Sequence, residues 1–585
     1  MEPRQLPRVL RTIWPLHWSQ ISIRAWKAVQ RRAPKIRPDR PLEVPGIQPG
    51  PMAMPPVFGT TCDSGNELIE SLAGGKLRLL NQSFAFGESN WDWRLGSVSE
   101  DRLWTVTLHY HQWLYELAKI ATESPEHGPK AKELWGAAMS DWLQNCRLDS
   151  PGAKPLVWNA YAIATRLSWS IRTWQLWHDA KIELPQELLQ EWQKSLYQQA
   201  DHLYRNLEWD LRANHLLRDA VGLAWAANFF VGSRSRQWLA KAQQIAVQQS
   251  EEQMLPDGGH FERSPFYHLE VMDDWLTLAI LFPAGRVRDQ MRETWQRAAE
   301  YARWLRHPDG CVAQFNDGAT INADQNLIHG EVIGVDVDLS MPRGGKHFSD
   351  SGVAVWHGEP WTLFWDVGDV GPNCQPGHAH ADTLSLECSF RAQKLFVDPG
   401  CYSYDYDRRR EYDRATSTHN TVCIDQTDSS EVWHIFRVGR RARPRGIQVS
   451  TDQEHFLGQA EHDGYQHLAG RPVHRRIVEV SEEGFLIVTD QVDGLGTHQV
   501  EGGWLLAPHW KIRMRENRWE LTNDKQILEL EIDASSRCQI DACEATYHPE
   551  YGVEIATKRL RWKFEGKLPF QIVCRVSEVS KPLLG

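Results

Sequence analysis

A chain of 585 residues, 41% apolar and 24% charged, has the make-up of a soluble globular protein and is too long for one ordinary core, so two to four domains are expected. It holds no uninterrupted apolar run of about 18 residues, which excludes a transmembrane helix. Its net charge of −11 gives no general nucleic-acid signature.

The first 40 residues depart from this average, with ten Lys and Arg against Glu2 and Asp39. The stretch "LRTIWPLHWSQISIRAWKAVQRR" mixes Trp and Ile with Arg. It reads either as a basic arm packed on its own domain or as a segment lying on an anionic membrane surface. It lacks the long apolar core and small-residue cleavage site of a secretory signal, so the expected location is cytoplasmic or peripheral at an inner membrane. Residues 41–60, "PLEVPGIQPGPMAMPPVFGT", read as a Pro- and Gly-rich linker.

From about 100 to 310 the pattern is helical. In "WNAYAIATRLSWSIRTWQLW", Ile163, Leu167, Ile171 and Trp174 recur at helical spacing on one face. Further helices are predicted near 185–207, 214–231, 235–254, 265–282 and 287–306. After about 345, short runs such as "LSLECSF", "KLFVDPG", "NTVCID" and "ILELEIDASS" alternate with Gly, Pro, Asp and Asn and read as strands and turns. Helices followed by strands make separate layers rather than an alternating α/β sheet. The predicted organisation is an arm and linker (1–60), an all-helical domain (61–340) and an antiparallel β-sandwich (341–585). Ten scattered cysteines, none in a CxxC pair, indicate a mostly reduced chain, and 28 Trp offer both core bulk and flat platforms for sugar rings.

Three constellations carry chemistry. In "GHAHADTLSLECSF" the even positions His378, His380, Asp382, Leu384, Leu386, Cys388 and Phe390 would share one face of a strand. Two histidines and an aspartate continuing an apolar face are either structural, hydrogen-bonded groups or ligands. Asp398 ends the strand of "LFVDPG" and His419 starts another in "TSTHNTVCID", so three neighbouring strands would each present a group suited to zinc. In "LPDGGHFERSPFYHLEVMDDWL", Ser264 caps a helix with Pro265 at its first position and Tyr267 in its first turn, beside Glu262, Arg263 and His268. The helix dipole there would make a tyrosinate less costly than in water, although a capped helix with a packed Tyr fits equally. In "RANHLLRDAVGLAW", Asn214 and His215 open a helix, where Asn is also a common cap.

Together "ANHLLRDA", "LPDGGHFERSPFYH", "FNDG" (315–318), "GHAHADTLSLE", "VDPGCYSY" and "ATSTHNTV" resemble, in order and spacing from about residue 75 onward, the heparinase II/III-like polysaccharide lyases, which include alginate lyases of related architecture. The resemblance implies an incomplete (α/α) toroid followed by an antiparallel β-sandwich, with the site in the cleft between them. It implies β-elimination on an acidic, uronic-acid-containing polysaccharide: a base removes the C5 proton, the 4-O-glycosidic bond breaks and an unsaturated uronate remains. By resemblance, Asn214 and His215 lie near the substrate carboxylate, Tyr267 acts as acid and base, and His378 and Tyr404 face them from the sandwich. Tyr402 and Tyr406 are alternatives to Tyr404. The same resemblance implies that His380, Asp398 and His419 bind one structural zinc ion, with Asp382 supporting them. Glu262 is expected to meet substrate, and Arg414 meets either an anionic sugar or a surface carboxylate. The competing readings are a glycoside hydrolase, which would need a carboxylate pair such as Glu262 and Asp317, and a non-catalytic glycan-binding protein of polymer assembly.

Overall fold

A computed structural model describes residues 6–32, 44–48, 52–57, 59, 62–88, 90–95, 101–452, 454–481, 483–516 and 518–579. The helical segments expected from periodicity form as Ala160–Asp179, Gln186–Arg205, Ala213–Phe229, Ser233–Gln253, Pro265–Leu281 and Arg286–Trp304, preceded by Gln112–Glu123 and Gly128–Asn145. Asn159 caps the first of the six by accepting the Ala162 N–H. The helices pack in an overlapping series, Ala213–Phe229 touching Ala160–Asp179, Gln186–Arg205, Ser233–Gln253 and Pro265–Leu281, which gives the helical layer of an incomplete toroid. None of the helices among the described residues is long and apolar enough to cross a membrane. A hairpin, Lys76–Leu79 with Gln82–Ala85, lies between Gly65–Ala73 and these helices and was not expected from the sequence.

The last helical turn, His329–Ile333, gives way to strand at Gly344–Phe348. Three larger antiparallel sheets follow, with a small two-stranded one formed by Val432–Trp433 and Arg437–Val438. One is a five-stranded meander in chain order, Gly344–Phe348, Val353–His357, Trp361–Asp366, Leu386–Phe390 and Gln393–Phe396. The second has eight strands, with Phe570–Glu578 between Leu486–Asp493 and Ile527–Ala534. The third has four, with Thr497–Leu505 pairing both Ile555–Lys567 and the short Cys423–Ile424. The sandwich core joins the first two sheets through Trp361, Trp365, Phe456, Val478, Leu486 and Leu530. Twenty of the 28 Trp are buried, twelve of them sealed from solvent, so the Trp enrichment serves mainly packing rather than sugar platforms.

Two sequence readings change. The described parts of 41–60 form a strap along the helices instead of a free linker: the Gln48 N–H donates to Phe229 O at 2.8 Å, Gln193 Nε2 to Pro45 O at 3.1 Å, and Arg172 to Pro56 O at 3.2 Å. The rest of that segment lies outside the described residues. The strand expected over 378–390 begins only at Leu386, and its five residues are buried on both faces. Residues before it turn through Leu384 at φ +66°, and the Leu384 N–H reaches Asp366 O at 3.1 Å. His378 and His380 therefore sit in a loop, where strand alternation does not place them.

Candidate active site between helices and sandwich

The helix Pro265–Leu281 starts as its sequence dictates, with Ser264 Oγ accepting the Tyr267 N–H at 3.2 Å. The same hydroxyl donates to Asp317 O at 2.6 Å. Gly318, at φ +152°, lies so close that a β-carbon would come 2.3 Å from Phe266 Cβ, so the "FNDG" turn is pressed onto this helix start. From that turn Asn316 Nδ2 donates to Arg263 O at 2.9 Å, while Asn316 Oδ1 accepts the His380 N–H at 2.9 Å. The Asp317 N–H donates to His378 O at 3.0 Å. Ala213, Arg263 and Asn316 all adopt positive φ immediately before site-bearing residues, strain of a kind that clusters at functional sites.

Asp317 is the hub. Its Oδ2 pairs with His378 Nδ1 at 3.1 Å and its Oδ1 with His380 Nε2 at 2.9 Å. Arg410, from the helix Arg408–Arg414, grips both oxygens, with NH2 to Oδ2 at 2.8 Å. Burial works to raise the Asp317 pKa, but Arg410 and the two histidines overcome it and hold the carboxyl well below the usual range.

Tyr267, Tyr404 and His378 meet beside this hub. The Tyr267 and Tyr404 hydroxyls are 2.6 Å apart, and Tyr404 in turn bonds the Tyr551 hydroxyl at 2.7 Å. The His378 ring stacks on Tyr267 with centroids 3.8 Å apart. Of the alternatives to Tyr404, Tyr406 is exposed and stacks on His434, and Tyr402 packs on His548. Burial pushes the Tyr267, Tyr404 and Tyr551 hydroxyls well above the usual phenol value. Loss of hydration thus outweighs the help that the helix dipole would give a tyrosinate.

Across from them, the Asn214 N–H donates to Glu262 Oε1 at 3.3 Å, and Asn214 Oδ1 is buried without a partner. Glu262 Oε2 is likewise buried, 3.5 Å from His378 Nε2 and unbonded. Burial raises the Glu262 pKa and favours its protonated form. His215 is set slightly aside, its Nδ1 on Glu208 Oε2 at 3.1 Å and its ring on Tyr161. Burial lowers its basicity, but Glu208 more than compensates and the net shift is upward.

A cleft of about 580 Å³ runs beside this cluster, lined by Tyr110, Tyr161, Trp169, Trp225, Phe266 and Tyr551. It does not enclose Tyr267, Tyr404 or His378, which stand just behind its Phe266 and Tyr551 rim with 7–8% of their surface exposed. The hydrogen bonds and stacking, rather than the bounds of the cavity, locate the chemistry.

His380, Asp398 and His419 also converge, from a loop, the end of Gln393–Phe396 and the turn after Thr416–Thr418. Each offers a ligand atom, and these atoms lie within 4.8 Å of one another. His419 Nδ1 is 2.7 Å from Asp398 Oδ2. His380 Nδ1, His419 Nε2 and Asp382 Oδ2 are buried with no partner.

Arg414 does not fit either role expected of it. It is 2% exposed and its guanidinium donates to the carbonyls of Ala379, His434, Ile435 and Arg437, which leaves it no group for a sugar or a surface carboxylate. It braces the loop that carries His378 and His380. Sequence reasoning missed Tyr551 and Arg410 as site residues and placed Asp317 only in a hydrolase pair.

The match to known proteins follows the same layout. Residues 77–330 match the model of the heparinase II/III N-terminus and residues 340–578 that of the heparinase II/III-like C-terminal region. The chain is 24% identical over 466 residues to a heparin-sulfate lyase of Bacteroides stercoris, covering 70% of this chain and 65% of that protein. It is 25% identical over 459 residues to one from Pedobacter heparinus, covering 73% and 64%. It thus spans just under two thirds of the length of these relatives. A crystal structure of heparinase III superposes with a TM-score of 0.71 at 17% identity, over 85% of this chain and 80% of that one. With family models covering both its helical and its strand regions, the chain belongs to the heparinase II/III-like family.

Proposed function

We propose that this protein is a polysaccharide lyase that cleaves a uronic-acid-containing polysaccharide by β-elimination. The observation that carries this reading is the cluster of Tyr267, Tyr404 and His378, buried together at the edge of the cleft and facing Asn214 and Glu262.

The reaction must first make the C5 proton acidic despite the adjacent carboxylate. The Asn214 side-chain amide and, when protonated, Glu262 would hydrogen-bond that carboxylate and stabilise the enolate-like charge that develops. Ionised Asp317 accepts from His378 Nδ1, which leaves Nε2 with the lone pair that takes the C5 proton. The Tyr267 hydroxyl, kept protonated by burial, donates to the departing O4, and Tyr404 and Tyr551 form a hydroxyl chain behind it. His215 orients the sugar from the helical side.

The residues fit a zinc ion: His380, Asp398 and His419 form a nitrogen- and oxygen-rich set, and their unpartnered buried nitrogens call for a further group. Bound there, zinc would supply positive charge and rigidity to the loop next to His378. The hydrolase reading requires Glu262 and Asp317 as free carboxylates. Asp317 has both oxygens engaged by Arg410, His378 and His380, which disfavours it.

The deciding assay offers a panel of uronate polymers, sulfated and unsulfated. Appearance of an ultraviolet-absorbing double bond is the expected result. New reducing ends without that absorbance would mean hydrolysis, and binding without either would mean a non-catalytic glycan receptor.

A further inference from the structure

The first two helices, Leu6–Ile13 and Trp18–Arg32, present an unusual surface. In a water-facing helix the outward stripe is polar and the inward stripe apolar. In this pair Leu6, Leu10, Ile13 and Trp14 follow one another at helical spacing and are all exposed, Trp14 by 90%. On the second helix Trp18, Ser22 and Trp26 form the outer stripe, with Trp18 85% and Trp26 62% exposed. Six of the 18 exposed large apolar side chains of the described residues thus fall within 21 positions.

Polar side chains fasten the pair to the body. Gln20, fully buried, donates to Asp210 O at 3.2 Å and Cys374 O at 3.1 Å. Arg24 donates to Asp210 O at 3.0 Å, and Lys27 pairs with the Asp210 carboxylate. Arg8 and Arg11 both reach Glu431, at 3.1 and 2.7 Å, and Trp433 Nε1 donates to Thr12 Oγ1 at 3.1 Å. The helices are therefore held in one orientation, apolar side out, by residues of both the helical region and the sandwich.

Charge selects the occupant of that face. Residues 1–40 carry an excess of eight positive charges, while the remainder of the chain carries −19. A second copy of so acidic a body would meet the basic helices, but an aromatic and aliphatic stripe flanked by arginines is the composition that enters the headgroup boundary of a bilayer. We infer that these two helices dock the protein on an anionic lipid surface, with Trp14, Trp18 and Trp26 entering the interface and the excess positive charge of residues 1–40 drawing them to it. The docking face is joined to the candidate site: Glu431 and Trp433 belong to the segment whose Ile435 carbonyl holds Arg410 and whose Phe436 ring lies 6.1 Å from that of His378. This inference does not depend on the lyase reading.

The test is co-sedimentation of the full chain with vesicles of phosphatidylcholine alone and of phosphatidylcholine with phosphatidylglycerol. Partition onto the anionic vesicles should exceed that onto neutral ones by about tenfold at low salt and fall as salt rises. The triple variant Trp14→Ala, Trp18→Ala, Trp26→Ala should lower it by a further factor of about ten with unchanged thermal unfolding, because these side chains face away from the body. No partition of the wild type onto anionic vesicles, or equal partition of the variant, would overturn the inference. So would a wild-type dimer that the variant converts to monomer, since that result assigns the face to a second copy.

Discussion

Arg410 and Asp317 meet from opposite halves of the molecule, the guanidinium from the sandwich side closing on both oxygens of a carboxylate from the helical side. Both are fully buried, and the same carboxylate orients His378 and His380. This ion pair therefore sets the geometry of two separate sites.

Removing one partner of a buried pair leaves the other charge without compensation. Asp317→Ala should cost about 3–5 kcal/mol of stability, measured by denaturant unfolding. Asp317→Asn should retain more stability yet lose turnover, because His378 loses the acceptor that fixes its tautomer. If Asp317→Asn turned over like wild type, the His378 tautomer would not depend on Asp317.

Tyr267→Phe keeps the ring that stacks on His378 and removes only the hydroxyl. It should fold normally and lose about 10²–10⁴-fold in kcat. Tyr551→Phe shortens the hydroxyl chain at its far end and should reduce kcat by a smaller factor. Near-wild-type turnover of Tyr267→Phe on a substrate that the wild type cleaves would remove it from the mechanism.

Metal analysis of the purified protein is expected to find about one equivalent of zinc, for three protein ligands and an open position. His380→Ala should lose it together with some thermal stability, since binding energy is also folding energy. His378→Ala should keep the metal and lose activity. A metal-free wild type would make the cluster a purely hydrogen-bonded network.

The sandwich has a buried network of its own, and it gives a pH-dependent test. Asp490 accepts from Arg476 at 2.8 and 2.9 Å and pairs with His474 at 2.7 Å. Burial works to raise its pKa, but Arg476 and His474 together hold it below the ordinary carboxylate value. A depressed native pKa contributes stability that is fully present above the unfolded value, about 3.9, and is lost as pH falls toward the native one. The stability gap between wild type and Asp490→Asn should therefore be constant from pH 7 to about pH 5 and shrink below about pH 4. A gap that stayed unchanged down to pH 3 would show that Asp490 contributes through shape alone.

Local signals carried much of the fold. The Ser264–Pro265 cap, the spacing of Ile163, Leu167 and Ile171, and the turn residues after 345 each report on neighbours a few positions away, and each reappears in the structure. The alternation read over 378–390 holds from Leu386 to Phe390, where Leu386, Cys388 and Phe390 enter the sandwich core while Glu387 and Ser389 meet His307; it fails for His378, His380 and Asp382 because the chain turns at Leu384 before the strand begins. Tyr551 and Arg410 were out of reach for a different reason. Their partners lie in distant parts of the chain, and nothing in "HPEYGV" or "DRRREYD" distinguishes a buried Tyr or Arg from a surface one. Asp317 was visible as part of "FNDG", but only the closed fold reveals that it anchors both histidines.

The hydroxyl chain crosses from one half of the protein to the other, since Tyr267 belongs to the helices while Tyr404 and Tyr551 belong to the sandwich side. Any hinge motion that widened the cleft to admit or release a polymer would pull these oxygens out of contact. On the proposed lyase reading, the proton path would exist only while the halves are shut, and the protein would carry an interlock, chemically silent when gaping and armed only when clamped on its chain, with each cut timed by closure rather than by encounter.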